Sequence, residues 1–433
     1  MLISFSVENW MSFRDKTTLC MLASEESKHI ATVPSISNHE MNILPIAIIY
    51  GGNASGKTSL FKALYFMQWF IVNRSTQLDS PIEIEPFLLR EQHNSRPTKF
   101  DIELLIKDEP YKFSFSVSRF EVLEERLIKI ENNEEEFVLY ERVKNKIDIR
   151  KGLDQTLQLI ANTTPRNQLF LTTSVFAQAK SFKPIYDWFK DTLELISPDA
   201  TFIPTEMFFD KENSFYAAVS QKLEELDTNI AALEGKLISS DTLPRTLVQE
   251  IKADPREILR FQYNKERYIA LKNKEGLQIK KLITLHTRED GSSIEFETSM
   301  ESDGSKRVID LLPAFCELET KNSNKVYFID EIDRSLHHLL TKNLIQGYLK
   351  RCTQDSRSQL LITSHDLLML DTNLFRDDEI WFIERDEVGV SGLASLIEYK
   401  ERSAGKNIMQ KYLQGKFGGV PNLFEEWSRS DDS

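Results

Sequence analysis

Apolar positions in this chain fall into two patterns, continuous blocks and alternating ones, and both predict strands. Ile46 to Tyr50, Lys325 to Ile329 and Gln359 to Thr363 are short, nearly unbroken apolar runs that read as strands. Leu2 to Trp10 alternates loosely and predicts an early strand beside the Ile46 to Tyr50 strand. Lys99 to Ile106 and Tyr111 to Val117 predict a hairpin around Lys107-Asp108-Glu109-Pro110, because proline and acidic residues favour turns. Arg126 to Ile130 and Glu136 to Glu141 extend this into an antiparallel β section. Leu60 to Ile71 is apolar enough to read as a buried helix, and Ile283 to Thr287 with Ser293 to Thr298 as a hairpin about Asp290-Gly291.

Residues 205–285 change character. Leu223, Leu226, Ile230, Leu233 and Leu237 are spaced three, four, three, four, the seam of a helix that packs on one partner helix. Serines, a threonine and a proline break the pattern over Ile238 to Pro244, and a polar helix over Pro255 to Lys274 is expected to return antiparallel. The expected organisation is thus an N-terminal part (1–205), a helical insertion or short coiled-coil-like lid (206–282), and a C-terminal part (283–433).

A composition 41% hydrophobic and 28% charged is that of a globular protein. The net charge of −13 argues against a broad DNA-binding surface, so nucleic acid is permitted but not implied. Lys272, Lys274, Lys280 and Lys281 form the densest basic patch, and a solvated face is its simpler reading. Three cysteines, Cys20, Cys316 and Cys352, lie far apart without a C-x-x-C pair, which suggests neither zinc nor a disulfide framework. Asp333 and His337 share a helix face with no third ligand in view. With no leader-like start and no run approaching about eighteen apolar residues, a cytoplasmic protein without a membrane span is expected.

The chemistry begins at Gly51-Gly52-Asn53-Ala54-Ser55-Gly56-Lys57-Thr58, a complete G-x-x-x-x-G-K-[ST] loop between a strand-like and a helix-like run. Its backbone N–H groups can turn inward around phosphates, Lys57 can reach the β- and γ-phosphates, and the Thr58 hydroxyl can join a Mg²⁺ shell. Lys57, Thr58 and Ser59 also open the following helix, whose N-terminus favours anions. Val326-Tyr327-Phe328-Ile329-Asp330-Glu331 has the form of a Walker B strand, with Asp330 to hold Mg²⁺ and Glu331 to act as general base. Leu360-Leu361-Ile362-Thr363-Ser364-His365-Asp366 delivers a histidine that can donate to a γ-phosphate oxygen. Neighbours on a strand end point in different directions, so Ser364, His365 and Asp366 are not read as a hydrolytic triad. Glu301-Ser302-Asp303-Gly304-Ser305-Lys306-Arg307 reads as a polar turn capping a helix.

In this order the pieces resemble ABC-type ATPase heads of the SMC and RecF kind. Within that group they resemble prokaryotic phage-defence and abortive-infection ATPases, including the ATPase subunit of the PARIS system and the ATPase part of overcoming-lysogeny-defect nucleases. Glu8-Asn9-Trp10-Met11-Ser12-Phe13, Asp330-Glu331-Ile332-Asp333-Arg334-Ser335-Leu336-His337 and Tyr412-Leu413-Gln414-Gly415-Lys416-Phe417-Gly418-Gly419-Val420-Pro421 carry the resemblance. Two positions depart: Asp303 stands where transporter heads carry glycine, and His338 replaces the proline that commonly follows the family's histidine.

The resemblance implies an α/β, ABC/SMC-like P-loop ATPase head with an antiparallel β section and a helical insertion. It implies ATP and Mg²⁺ as cofactors, with ATP held between copies of a homodimer or higher homo-oligomer. Ser302, Asp303 and Gly304 become the signature that reaches the other copy's nucleotide, Asp333 the D-loop aspartate, and Gln178 the Q-loop glutamine near Mg²⁺, with Gln168 as its competitor. The implied role is a sensor or regulatory subunit of an antiphage system that controls a separately encoded, nuclease-like toxic effector. No further carboxylate cluster in the chain suits a metal nuclease. A DNA-clamping repair or recombination ATPase is the alternative.

Overall fold

The computed structural model describes residues 1–74, 77, 80–89, 96–131, 135–201, 214–226, 228–273, 276–399 and 408–414. The chain forms two compact units, one of Met1–Pro198, Lys321–Ile332 and Tyr348–Ser433, the other of Asp199–Thr320 and Asp333–Gly347.

The first unit holds two large sheets. One is antiparallel, in the order β10-β9-β8-β7-β6-β1-β2: β1 (Leu2–Glu8), β2 (Thr17–Cys20), β6 (Thr98–Ile106), β7 (Glu109–Val117), β8 (Val122–Ile130), β9 (Glu136–Val143) and β10 (Lys146–Ile149). The other, in the order β11-β17-β18-β5-β19-β20, consists of β5 (Ile46–Tyr50), β11 (Leu193–Ile196), β17 (Val326–Ile329), β18 (Gln359–Ser364), β19 (Ile380–Arg385) and β20 (Ser391–Ser395). Its first five strands are parallel and only β20 runs against its neighbour. A small pair, β3 (Ser35–Ile36) and β4 (Met41–Asn42), stands apart.

The expected place of the first strand is corrected. β1 lies between β2 and β6 in the antiparallel sheet, not beside β5, whose neighbours are β18 and β19. The patterns explain the sorting, since all five residues of β5 are buried, as a parallel central strand requires, whereas β1 is interrupted by half-exposed Ser4 and Glu8. The β6–β7 hairpin turns on Lys107 and Asp108, both left-handed (φ 53° and 59°), so Glu109 and Pro110 belong to the strand.

Helix α1 (Lys57–Val72) touches both sheets with different residues. Phe61 meets Phe328 of β17, while Phe66 stacks on Phe100 of β6 and sits 5.2 Å from the Trp10 ring. Such a helix needs apolar residues around most of its circumference, and nine of its residues are buried. Short helices α2 (Thr156–Thr163), α3 (Phe170–Phe176) and α4 (Lys183–Asp187) follow the antiparallel sheet, and α9 (Ile408–Leu413) comes last among the described residues.

The second unit contains the inserted segment, and there the seam of leucines misleads. Helix α5 (Ser214–Glu225) ends at Thr228 and left-handed Asn229, where the Thr228 hydroxyl donates to the Leu223 carbonyl. Leu233 and Leu237 lie instead on β12 (Ala232–Ile238), with Leu237 exposed. The expected helix over Pro255 to Lys274 is an antiparallel hairpin, β13 (Ile258–Tyr263) and β14 (Glu266–Asn273), turned by left-handed Asn264 and Lys265. Ile258, Phe261 and Tyr263 favour a strand more than a helix, and Asn264 was the local turn signal. With β15 (Gly276–Thr287) and β16 (Ser293–Glu297) these strands form one sheet. Helix α6 (Arg245–Ala253) packs Val248 and Ile251 against its Leu259, Ala270 and Ile279. Among its described residues the insertion therefore has two helices and a sheet. Helix α7 (Asp303–Leu318) and the first part of α8 (His338–Arg351) complete this unit.

Candidate nucleotide site

Three neighbouring parallel strands, β17, β18 and β5, end in chemistry at the same edge. Ile329 is in register with Ile362, and Ile362 with Ile48. Asp330 follows β17, the 51–58 loop follows β5, and His365 comes one residue after Ser364, which pairs with Tyr50. Polar residues are gathered at the carboxyl ends of parallel strands, where ligands bind in open α/β sheets.

The 51–58 loop has the strained glycine geometry that a backbone anion cradle requires. Gly56 has φ 124°, where side chains are rarely tolerated, and a Cβ there would meet the Ser391 hydroxyl at 2.6 Å. The loop is propped from behind: Ser391 donates its hydroxyl to the Ser55 carbonyl at 2.6 Å, and its N–H to the Ser12 carbonyl at 2.8 Å. Trp10 Nε1 donates to the Ser59 carbonyl at 3.1 Å. Thus the Asn9-to-Phe13 segment and β20 both support the loop, a role not legible from their sequence.

Lys57 is folded back, its Nζ donating to the carbonyls of Gly51 (2.6 Å) and Gly52 (3.0 Å). The Thr58 hydroxyl donates to Asp330 Oδ2 at 3.0 Å. Ser55 Oγ is buried and makes no hydrogen bond, an orphan donor inside the loop that a phosphate oxygen would satisfy. A flexible cation, an inward hydroxyl and a buried carboxylate in one cradle suit a Mg²⁺-bound polyphosphate, with Thr58 and Asp330 as the residues to hold the metal.

Asp330 is fully buried and its Oδ1 accepts from Thr363 Oγ1 at 2.6 Å. Glu331 next to it is half-buried and left-handed (φ 49°), its N–H bonded to the same Thr363 hydroxyl at 2.8 Å. Thr363 was a missed functional candidate; the signal was a hydroxyl directly after the aliphatic run Leu360-Leu361-Ile362. His365 is exposed at the strand tip, whereas Ser364 is buried and accepts from the Asp366 N–H.

Gln178 follows α3 in a left-handed conformation (φ 65°) and is exposed, with no side-chain hydrogen bond to Thr58 or Asp330. The α3 N-terminus is clamped by Glu125, which accepts from the N–H groups of Phe170 (2.7 Å) and Leu171 (2.9 Å) and from the Tyr140 hydroxyl (2.7 Å). Its competitor Gln168 is buried beside Asn167 and Leu169.

In the second unit Ser302 caps α7 by accepting from the Ser305 N–H at 3.0 Å, leaving Asp303 almost fully exposed. A Cβ on Gly304 would approach the Ser335 carbonyl at 3.1 Å, two residues past Asp333. Glu301 accepts from Thr284 (2.5 Å) and lies 2.7 Å from His286 Nε2, both on β15. Glu266 accepts from the Thr298 hydroxyl, and Arg267 pairs with Asp310 at 2.7 Å. The inserted sheet is therefore tied to the turn that carries Ser302 through buried polar groups.

Among the described residues no group of three or more His, Cys, Asp and Glu is placed to hold a metal ion. No described helix is long and apolar enough to cross a membrane.

Residues 46–371 match the family model described as "AAA domain, putative AbiEii toxin, Type IV TA system". The chain belongs to this AAA-domain family. Its family membership and the strand–loop–helix geometry make it an α/β P-loop ATPase domain. Among curated proteins none matches. The AAA chain is similar in structure to the SMC head domain from Thermotoga maritima, at 12% identity and TM-score 0.38, covering 91% of this chain and 98% of that one. It is similar also to an SMC head bound to the C-winged helix domain of ScpA, at 12% identity and TM-score 0.36, covering 91% and 97%.

Proposed function

We propose that this AAA chain binds and hydrolyses Mg-ATP as an ABC-type switch, with each nucleotide held between two copies of the chain. The observation that carries the reading is the contact of Thr58 with Asp330, which brings the phosphate loop and the Walker B carboxylate to one point. Lys57 leaves the Gly51 and Gly52 carbonyls for the β- and γ-phosphates, which offer it charge instead of dipoles. Bound Mg²⁺ supplies charge neutralisation on the same phosphates. Glu331 takes a proton from the attacking water as its oxygen bonds to the γ-phosphorus and the bond to the β-phosphate bridge breaks. His365 donates to a γ-phosphate oxygen. Gln178 is assigned beside the metal as the Q-loop glutamine, and Ser302, Asp303, Gly304 and Asp333 serve the nucleotide of the other copy.

Such an assembly is suited to regulation, and we assign the chain the role of sensor or regulatory subunit controlling a separately encoded nuclease-like toxin in antiphage defence. The family's toxin–antitoxin description and the defence-type pattern of residues 330–337 support this setting. The DNA-clamp alternative is less favoured, since the lysines it needs are engaged: Lys281 pairs with Glu266 and Glu297, and Lys272 donates to the Asp254 carbonyl. Lys274 lies outside the described residues.

The test is a tagged pull-down from the native host with wild type, Lys57→Ala and Glu331→Gln, identifying protein and nucleic acid together. A nuclease-like partner whose retention follows nucleotide state supports the switch. DNA without a protein partner moves the assignment to the clamp.

A further inference from the structure

We propose that Thr363 is the positioning residue of the hydrolytic centre, its one hydroxyl setting both Walker B carboxylates at once. The inference rests on the ATPase reading of Asp330 and Glu331 given above.

A buried hydroxyl in an aliphatic strand carries a desolvation penalty unless it is bonded on both sides. Thr363 follows Leu360-Leu361-Ile362 and is fully buried, in register with Ile49 of the strand that feeds the phosphate loop. Its hydroxyl is used twice, donating to Asp330 Oδ1 at 2.6 Å and accepting from the Glu331 N–H at 2.8 Å. Its carbonyl accepts from the Ile332 N–H at 3.1 Å. Three consecutive residues of the Walker B turn are thus bonded to one threonine.

Each bond has a consequence. With Oδ1 committed to Thr363, Asp330 presents Oδ2 to Thr58, the side where Mg²⁺ would sit. Glu331 is held left-handed at φ 49°, a conformation a non-glycine residue keeps only when its surroundings fix it. The hydroxyl and carbonyl of Thr363 supply that fixation on the N–H groups of 331 and 332, and so aim the Glu331 side chain. A β-branched residue has few χ1 choices, so the hydroxyl itself is stiffly placed. Valine has the same shape without the donor and acceptor; serine keeps both without the second methyl.

The experiment compares wild type, Thr363→Val, Thr363→Ala and Thr363→Ser, with Glu331→Gln alongside. It measures turnover of Mg-ATP, binding of a fluorescent ATP analogue without metal, the Mg²⁺ concentration that half-maximally strengthens that binding, and Tm. Thr363→Val is expected to fold and to bind analogue without metal as wild type does. Its kcat should fall and its Mg²⁺ half-saturation rise, each by about 10- to 100-fold, the usual cost of losing a partner that orients a metal-binding carboxylate. Thr363→Ser should return both to within about threefold of wild type, since it restores both hydrogen bonds. If Thr363→Val does not fold, Thr363→Ala carries the same expectation.

Wild-type kcat and Mg²⁺ half-saturation in the valine variant would overturn the proposal. So would equal losses in the valine and serine variants, which would mark a packing role. If Glu331→Gln turns over ATP like wild type, the general-base reading fails; the Mg²⁺ half-saturation of Thr363→Val then still decides whether Thr363 sets Asp330.

Discussion

Thr58 Oγ1 lies 3.0 Å from Asp330 Oδ2, joining residues 272 positions apart in the chain. That one hydrogen bond closes the distance between the phosphate loop and the Walker B strand, which are separated by the antiparallel sheet and the insertion in sequence. Because the strands β5 and β17 are not neighbours but flank β18, the contact depends on the parallel sheet keeping its register.

Glu331→Gln keeps the shape of the side chain and removes its basicity. Turnover should fall by about 10²–10⁴-fold, the usual contribution of a positioned general base, while ATP binding persists. Single-turnover hydrolysis, with size-exclusion mass measurement in ATP, checks this. An undiminished rate would remove Glu331 from the chemistry.

Ser302 serves the other copy's nucleotide in the proposed assembly, so defects in different copies should complement. Lys57→Ala and Ser302→Arg proteins should each be inactive alone. Mixed in equal amounts they should recover about a quarter of the wild-type rate, because half of random dimers are mixed and each carries one intact site. No recovery would show that ATP is not shared between copies.

Phe66 stacks on Phe70 and Phe100 at 5.6 and 5.3 Å and is 6% exposed. Phe66→Ala should cost about 3–5 kcal/mol through lost burial and a cavity, read as a lower denaturation midpoint. A change below about 1 kcal/mol would mean that the packing of α1 on the antiparallel sheet adapts easily.

Glu379 is buried beside Arg376 and Asp378, and burial, aided by the Asp378 charge, pushes its pKa up to about 8. The group holds its proton more tightly folded than unfolded. Its contribution is therefore fully present below the ordinary carboxylate pKa near 4.5 and is lost as pH rises through about 8. Wild-type Tm should decline across pH 5 to 9 relative to Glu379→Gln, which cannot ionise. Parallel curves for the two proteins would contradict the assignment.

The strand–loop–helix run around 51–58, the strand ending before Asp330-Glu331 and the strand ending before His365 could all be read directly from the chain. Each is a continuous segment whose role is carried by local geometry: glycines that permit a turn, apolar runs that must be buried, polar residues where the strand stops. The Ser302 cap was legible for the same reason, since capping is decided within four residues.

What lay beyond the sequence were relations between distant segments. The leucine spacing of residues 223–237 satisfies a helix seam, yet Thr228 and Asn229 end the helix and cross-strand pairing with β15 claims Leu233 and Leu237. Tertiary pairing overrides a periodic pattern because the strand's backbone groups are satisfied along its whole length by β15, whereas the helix is already stopped at Thr228 and Asn229. Likewise β1 went to the antiparallel sheet, and the hydroxyls of Ser391 and Thr363 acquired their partners only on folding. A side chain's type can be read from its position in the chain, but the partner of a buried hydroxyl is chosen by which backbone is packed beside it, and that is a property of the assembled sheets.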